Sequence, residues 1–153
     1  MKSHSKSRFE VMAPAGSYAA LAAAIRAGAD SVYFGVDRLN MRARAASPFQ
    51  VDDLARIARI CGWCGVRGYL TLNTIIYDGD LAMVREICQA AADARIDAVI
   101  CMDIAAIEIA RNSGLEVHMS VQANICNMAA VRFYARYADV VVLARELTLE
   151  QMQ

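Results

Sequence analysis

The sequence predicts an α/β fold, an incomplete (βα)8 TIM-type barrel in which six parallel strands alternate with helices. Three observations predict it. Short apolar runs and Ala-rich helical patterns alternate strictly along the 153 residues, which implies a parallel sheet of right-handed units. Three of the runs, GADSVYFG (28–35), RIDAVICMD (95–103) and YADVVVLARE (137–146), repeat one plan: a helix end, an Asp, then apolar residues. In LEVHMSVQ (115–122), His118, Ser120 and Gln122 alternate with Val117, Met119 and Val121. A barrel explains that alternation: apolar side chains face outer helices and polar ones face the interior, with Gln122 uppermost. A doubly wound sheet fits less well, because the first loop, APAGS, lacks G-x-G-x-x-G spacing.

Residues 1–8 form a polar lead, and residues 9–153 read as the N-terminal portion of the barrel domain. RFEVMA (8–13) is the first strand. SYAALAAAIRA (17–27) is the first helix, with Ser17 as N-cap and Gly28 as its stop. After the strand at 28–35, the loop VDRLNMRARA leads to VDDLARIARICGW (51–63), where Asp52 and Asp53 put acid at the positive helix end. VRGYLTLN (66–73) is the third strand, with Leu70 and Leu72 outward and Tyr69, Thr71 and Asn73 inward. Helices follow at 80–94, 104–112 and 123–137, around the strands at 95–103, 115–122 and 137–146. TLEQMQ begins a sixth helix. A full barrel takes eight strands and roughly 250 residues. Strands one and six are therefore expected to stay unpaired with each other, and the chain to self-associate through its open edges.

Chemistry on such a fold sits at the C-terminal ends of strands. Collected there are Ser17, Asp37, Asn40, Arg42, Asn73, Thr74, Asp103, Gln122, Asn124, Arg145 and Glu146. Asn40, Arg42, Asn73, Gln122, Asn124 and Arg145 form the candidate substrate-binding set, suited to a planar, hydrogen-bonding ligand. Asp103 and Glu146 are the candidate catalytic residues; either of them, or a downstream group, could activate water. Each residue also has a plain structural reading, since short polar side chains make caps and tight turns. Arg38, Arg42 and Arg44 share one loop and could meet phosphates.

Cys61 and Cys64 form a single C-x-x-C with no second pair at metal spacing, so no metal site is assigned within the chain. Cys88, Cys101 and Cys126 read as small buried hydrophobes. His118 reads as a satisfied interior histidine. The composition is 58% hydrophobic with zero net charge, which excludes a disordered chain and gives no global pull toward nucleic acid or membrane. Fourteen of the sixteen basic residues are Arg. No run reaches the roughly 18 apolar residues of a membrane span. An odd number of cysteines and no export signal place the protein in the cytoplasm.

At APAGS (13–17), GADSVYFG (28–35), TLNT (71–74), SVQAN (120–124) and LAREL (143–147), the chain resembles the collagenase-like peptidase family, U family 32. The resemblance runs from about Phe9 to the end. It implies a barrel continuing past Gln153. That family was named for collagen degradation, but many bacterial members are hydroxylation proteins acting on a tRNA uridine, a ribosomal RNA cytidine or the ubiquinone ring. Such members carry a 4Fe-4S cluster on four downstream cysteines, onto which none of the five here maps. SVQAN and the following Phe133 and Tyr134 resemble the tRNA-hydroxylating branch most. The resemblance thus implies an iron–sulfur-dependent RNA hydroxylation protein with tRNA as partner; the alternatives it implies are a peptidase with a peptide substrate, or hydroxylation of ubiquinone or rRNA. This segment alone is expected to be inactive.

Overall fold

Helix-stop chemistry and strand parity together set the architecture. The structure, a computed structural model, describes residues 9–36 and 49–152. Six strands, β1 (Met12–Pro14), β2 (Ser31–Phe34), β3 (Arg67–Leu72), β4 (Ala98–Cys101), β5 (Glu116–Met119) and β6 (Val140–Val141), pair in sequence order. Every pairing is parallel. The sheet curls into an open half-barrel whose outer strands, β1 and β6, do not pair with each other. Five helices cover its outer side: α1 (Tyr18–Arg26), α2 (Leu54–Cys64), α3 (Leu81–Asp93), α4 (Ile104–Asn112) and α5 (Met128–Tyr134). Among the described residues no helix is long and apolar enough to cross a membrane.

The helices start and stop where local chemistry demands. Ser17 caps α1 by accepting the Ala20 N–H at 3.2 Å, and Gly28 ends its turn at φ +87°. Gly65 does the same after α2 at φ +68°. After α3 the left-handed position falls to Arg95 at φ +60°, which costs a non-glycine residue about 1 kcal/mol.

Parity sorts the strand side chains into two layers. Val32, Leu70, Leu72, Val99, Val117 and Met119 are fully buried in the main core, which packs against the helices. Tyr33, Tyr69, Ala98 and Ile100 form a second cluster on the concave side. His118 joins them, its ring 4.7 Å from the Tyr69 ring. The expected facing of Leu70, Leu72, Val117 and Met119 against Tyr69 and His118 is what the structure shows.

The parity ends at Met119. Residues 121–123 form a 3-10 turn instead of continuing β5, because Ser120 Oγ accepts the Gln122 N–H and Asn124 closes the turn at φ +52°. Val121 is therefore not a core residue of the strand, and Gln122 is not its uppermost inward side chain. The fifth helix is also shorter than expected. Ile125 is buried and bridges to Leu143, so the chain stays extended until Asn127 caps α5. Cys126 in that segment is exposed, contrary to the buried position expected for it.

The repeated Asp has one job. Asp30, Asp97 and Asp139 each stand just before an even-numbered strand. Each accepts a backbone N–H at the entry to the strand before, from Val11 just ahead of β1, Gly68 in β3 and Val117 in β5. The half-barrel is thus three copies of a two-strand unit with one register lock apiece.

Candidate functional site

Two groups of polar residues lie on the site-bearing parts of the half-barrel, one at the strand tips and one on the concave wall. At the tips, Thr71 Oγ1 donates to the Phe34 carbonyl at 3.1 Å, tying β3 to β2. Asn73 follows β3 and is half-buried. Its Oδ1 is fully buried and has no hydrogen-bond partner among the described residues. A buried amide oxygen without a donor costs on the order of 1–3 kcal/mol. Such an acceptor is suited to a ligand N–H.

The neighbouring tips are more ordinary. Asp103 caps α4, its Oδ1 accepting the N–H groups of Ala105 at 2.8 Å and Ala106 at 3.3 Å. Gln122 and Asn124 are exposed on the 3-10 turn. Arg145 and Glu146 are exposed in the turn after β6. The structure thus brings Asn73, Asp103, Gln122, Asn124, Arg145 and Glu146 to one end of the sheet, but joins none of them by a direct hydrogen bond. Asn40 and Arg42, with Asp37, Arg38 and Arg44, lie outside the described residues.

The residues flanking that segment are firmly held. Val36 and Phe49 bridge in parallel, and the Phe49 ring meets Tyr18 and Phe34 edge-on at 5.1 and 5.8 Å. Tyr18 donates its hydroxyl to Asp53 at 2.6 Å. The Gln50 N–H and that hydroxyl hold the Asp53 carboxyl below its ordinary range, while burial and Asp53 push the Tyr18 phenol up.

The concave wall carries a second group that sequence reading did not single out. Glu10 pairs with the Arg67 guanidinium and accepts the Tyr69 hydroxyl at 2.7 Å. His118 Nε2 hydrogen-bonds Glu116 at 2.8 Å. Burial raises the Glu10 carboxyl, but the Ser31 and Tyr69 hydroxyls and the charges of Arg67 and His118 outweigh it and hold it low. Burial, then the Glu10 carboxylate, pushes the Tyr69 phenol above its ordinary range. The partners are 57 and 59 residues apart in sequence, and only strand parity hinted at their shared face. His118 is satisfied there, as expected of an interior histidine.

The implied iron–sulfur cluster can be tested against the cysteines present. Cys61, Cys88 and Cys101 are buried, and their thiols are pushed up to about 11, about 11 and about 12, in each case chiefly by burial. Cys64 and Cys126 are exposed. No three His, Cys, Asp or Glu among the described residues come together as metal ligands. Buried thiols of this kind read as packing groups of the core.

Comparison with known proteins decides the family. The model of Peptidase family U32 matches residues 16–153. The chain belongs to the U32 family. It is 57% identical over 145 residues to a collagenase of Porphyromonas gingivalis, covering 95% of this chain and 35% of that protein. It is 40% identical over 144 residues to an uncharacterised protease of Methanocaldococcus jannaschii, covering 94% and 35%. It is 31% identical over 140 residues to the tRNA hydroxylation protein P1 of Bacillus subtilis, covering 90% and 33%. The chain therefore spans about a third of the length of these relatives. A solved U32 peptidase superposes with a TM-score of 0.71 at 16% identity, covering 94% of this chain and 61% of that one. The tryptophan synthase alpha chain of Legionella pneumophila superposes at 0.59 with 17% identity, covering 95% and 64%. At those identities the likeness concerns the fold, and it agrees with a barrel read from strand order.

Proposed function

We propose that the full-length protein hydroxylates an RNA base, tRNA uridine foremost, and that the strand tips of this segment hold the base. The observation that carries the reading is Asn73 Oδ1, a buried acceptor with no donor among the described residues, at the tip of β3. An extruded base presents N–H donors on its pairing edge, and enzymes that modify bases read that edge by hydrogen bonds. Gln122 and Asn124 stand at the neighbouring β5 tip as amides able to donate or accept. Arg145, with Asn40 and Arg42, supplies polar and cationic contacts for sugar and phosphate. The chain's own contribution is binding and orientation. Support comes from the tRNA hydroxylation relatives, and from the 23S rRNA 5-hydroxycytidine synthase of Escherichia coli at 30% identity.

A second reading, peptide hydrolysis, is favoured by the collagenase at 57% identity and the protease at 40%. In it Asp103 or Glu146 activates water. Against it, Asp103 Oδ1 is already committed to two backbone N–H groups. The test gives the purified full-length protein either tRNA or a collagen peptide and follows both by mass spectrometry. A nucleoside gaining one oxygen atom supports the first reading. Peptide cleavage with unaltered RNA overturns it.

A further inference from the structure

We infer that the C-terminal end of α5 is a surface for single-stranded RNA, outside the pocket that holds the base. The inference rests on the RNA reading of the strand tips and extends it to a separate set of residues. Arg136 lies over two aromatic rings, 4.8 Å from the centre of Phe133 and 5.4 Å from that of Tyr137. Both rings are exposed, at 45% and 41%. Phe133 also meets Tyr134 edge-on at 5.2 Å and Tyr137 at 5.6 Å, so the rings hold one another in place. Arg132 is exposed on the same helix. Arg111, from the end of α4, reaches across to donate to the Tyr137 carbonyl at 2.9 Å.

No ion pair among the described residues neutralises the arginines here. Residues 123–138 contain no Asp or Glu. None of Arg111, Arg132 or Arg136 forms an ion pair among the described residues. A cluster of guanidinium groups interleaved with exposed rings is complementary to a phosphate backbone with unstacked bases. Arg offers a planar fork to phosphate and a flat face to a base, which Lys does not. The position suits the reading as well. α5 is seven residues long, about 10 Å, and descends from the turn that carries Gln122 and Asn124. A strand with one base at the tips would pass its flanking nucleotides along this helix.

The test is fluorescence anisotropy of a labelled oligouridylate of about twelve nucleotides, long enough for such a groove. The chain should bind it with an affinity that falls as salt rises. Arg132→Ala with Arg136→Ala should weaken binding at least about tenfold and make the salt slope shallower by roughly 1.4, two phosphate contacts' worth. Phe133→Ala should weaken it roughly tenfold with the slope unchanged, the mark of lost stacking. Arg85→Ala, on α3, should change nothing, and circular dichroism should show every variant folded. Wild-type chain that does not bind, arginine variants that bind as well as wild type, or equal loss from Arg85→Ala would each overturn the inference. So would loss of self-association in the arginine variants, which would make the surface a contact between copies. Oligonucleotide binding is read without turnover, so a full-length protein that hydroxylates no RNA overturns the reading of the strand tips and leaves the α5 result standing. Oligonucleotide binding unchanged by Arg132→Ala with Arg136→Ala overturns the α5 surface and leaves the strand tips standing.

Discussion

Gly68 donates its backbone N–H to Asp97 Oδ2 at 2.7 Å, and Asp97 returns its own N–H to the Gly68 carbonyl at 3.1 Å. The same exchange joins Val11 to Asp30, at 2.8 and 2.9 Å, and Val117 to Asp139, at 2.9 and 2.8 Å. A strand entering a parallel sheet leaves its first N–H without a ladder partner, and the carboxylate fills that vacancy. Asp97→Ala should therefore cost about 1–2 kcal/mol, and Asp97→Asn roughly half of that, since the amide oxygen still accepts. Urea midpoints at constant slope measure it. An unchanged midpoint for Asp97→Ala would mean that the ladder sets register without the carboxylate.

The concave-wall pair Glu10 and Tyr69 predicts a pH dependence. The Glu10 carboxyl is held below its ordinary value of 4.5 in the folded chain. Its contribution is therefore complete above that value and is lost as pH falls through the lower folded one. Tyr69→Phe removes one of the groups that hold it low. The stability deficit of Tyr69→Phe against wild type should be larger near pH 7 than near pH 3. Equal deficits at both, by urea unfolding, would show that the hydroxyl does not act on the carboxylate.

Asp103 separates capping from catalysis. As a cap it should tolerate Asn, while Ala costs about 1 kcal/mol. If Asp103 served only the helix, Asp103→Asn would leave full-length activity intact, and that is the expected outcome here. Lost activity with unchanged thermal stability would restore Asp103 as a catalytic candidate.

Both margins of the sheet are open. Among the described residues β1 and β6 each have a strand neighbour on one side only, and Phe9, Val11, Met12 and Val140 expose between 40% and 75% of their surface. Unpaired strand edges with apolar neighbours invite further pairing. Sedimentation velocity of this chain should show association that rises with concentration. A monomer across tens of micromolar, roughly the range where such exposed edges associate, would contradict it.

What the sequence made legible was local. Ile104–Asn112 lies where the periodicity put a helix, because Asp103 caps it and an apolar stripe follows. Strand facing was readable through Met119, since parity in a parallel sheet is set residue by residue. Beyond that point a single hydroxyl decided. Ser120 continues the alternation on paper, but its Oγ captures the Gln122 N–H and turns the chain. The Glu10–Tyr69–Arg67 group was not readable, because its members meet only through β1, β2 and β3 pairing. Asn73 was readable as a strand-tip amide. That its oxygen would be buried without a donor depends on packing that no spacing reveals.

The measurement closest to the central claim is nucleoside mass spectrometry of tRNA from cells whose own copy of the gene is replaced by the full-length wild type or Asn73→Ala. Wild type should give a hydroxylated uridine, and Asn73→Ala should lose it at unchanged protein level and thermal stability. The same hydroxylated uridine at wild-type abundance in Asn73→Ala cells would contradict it.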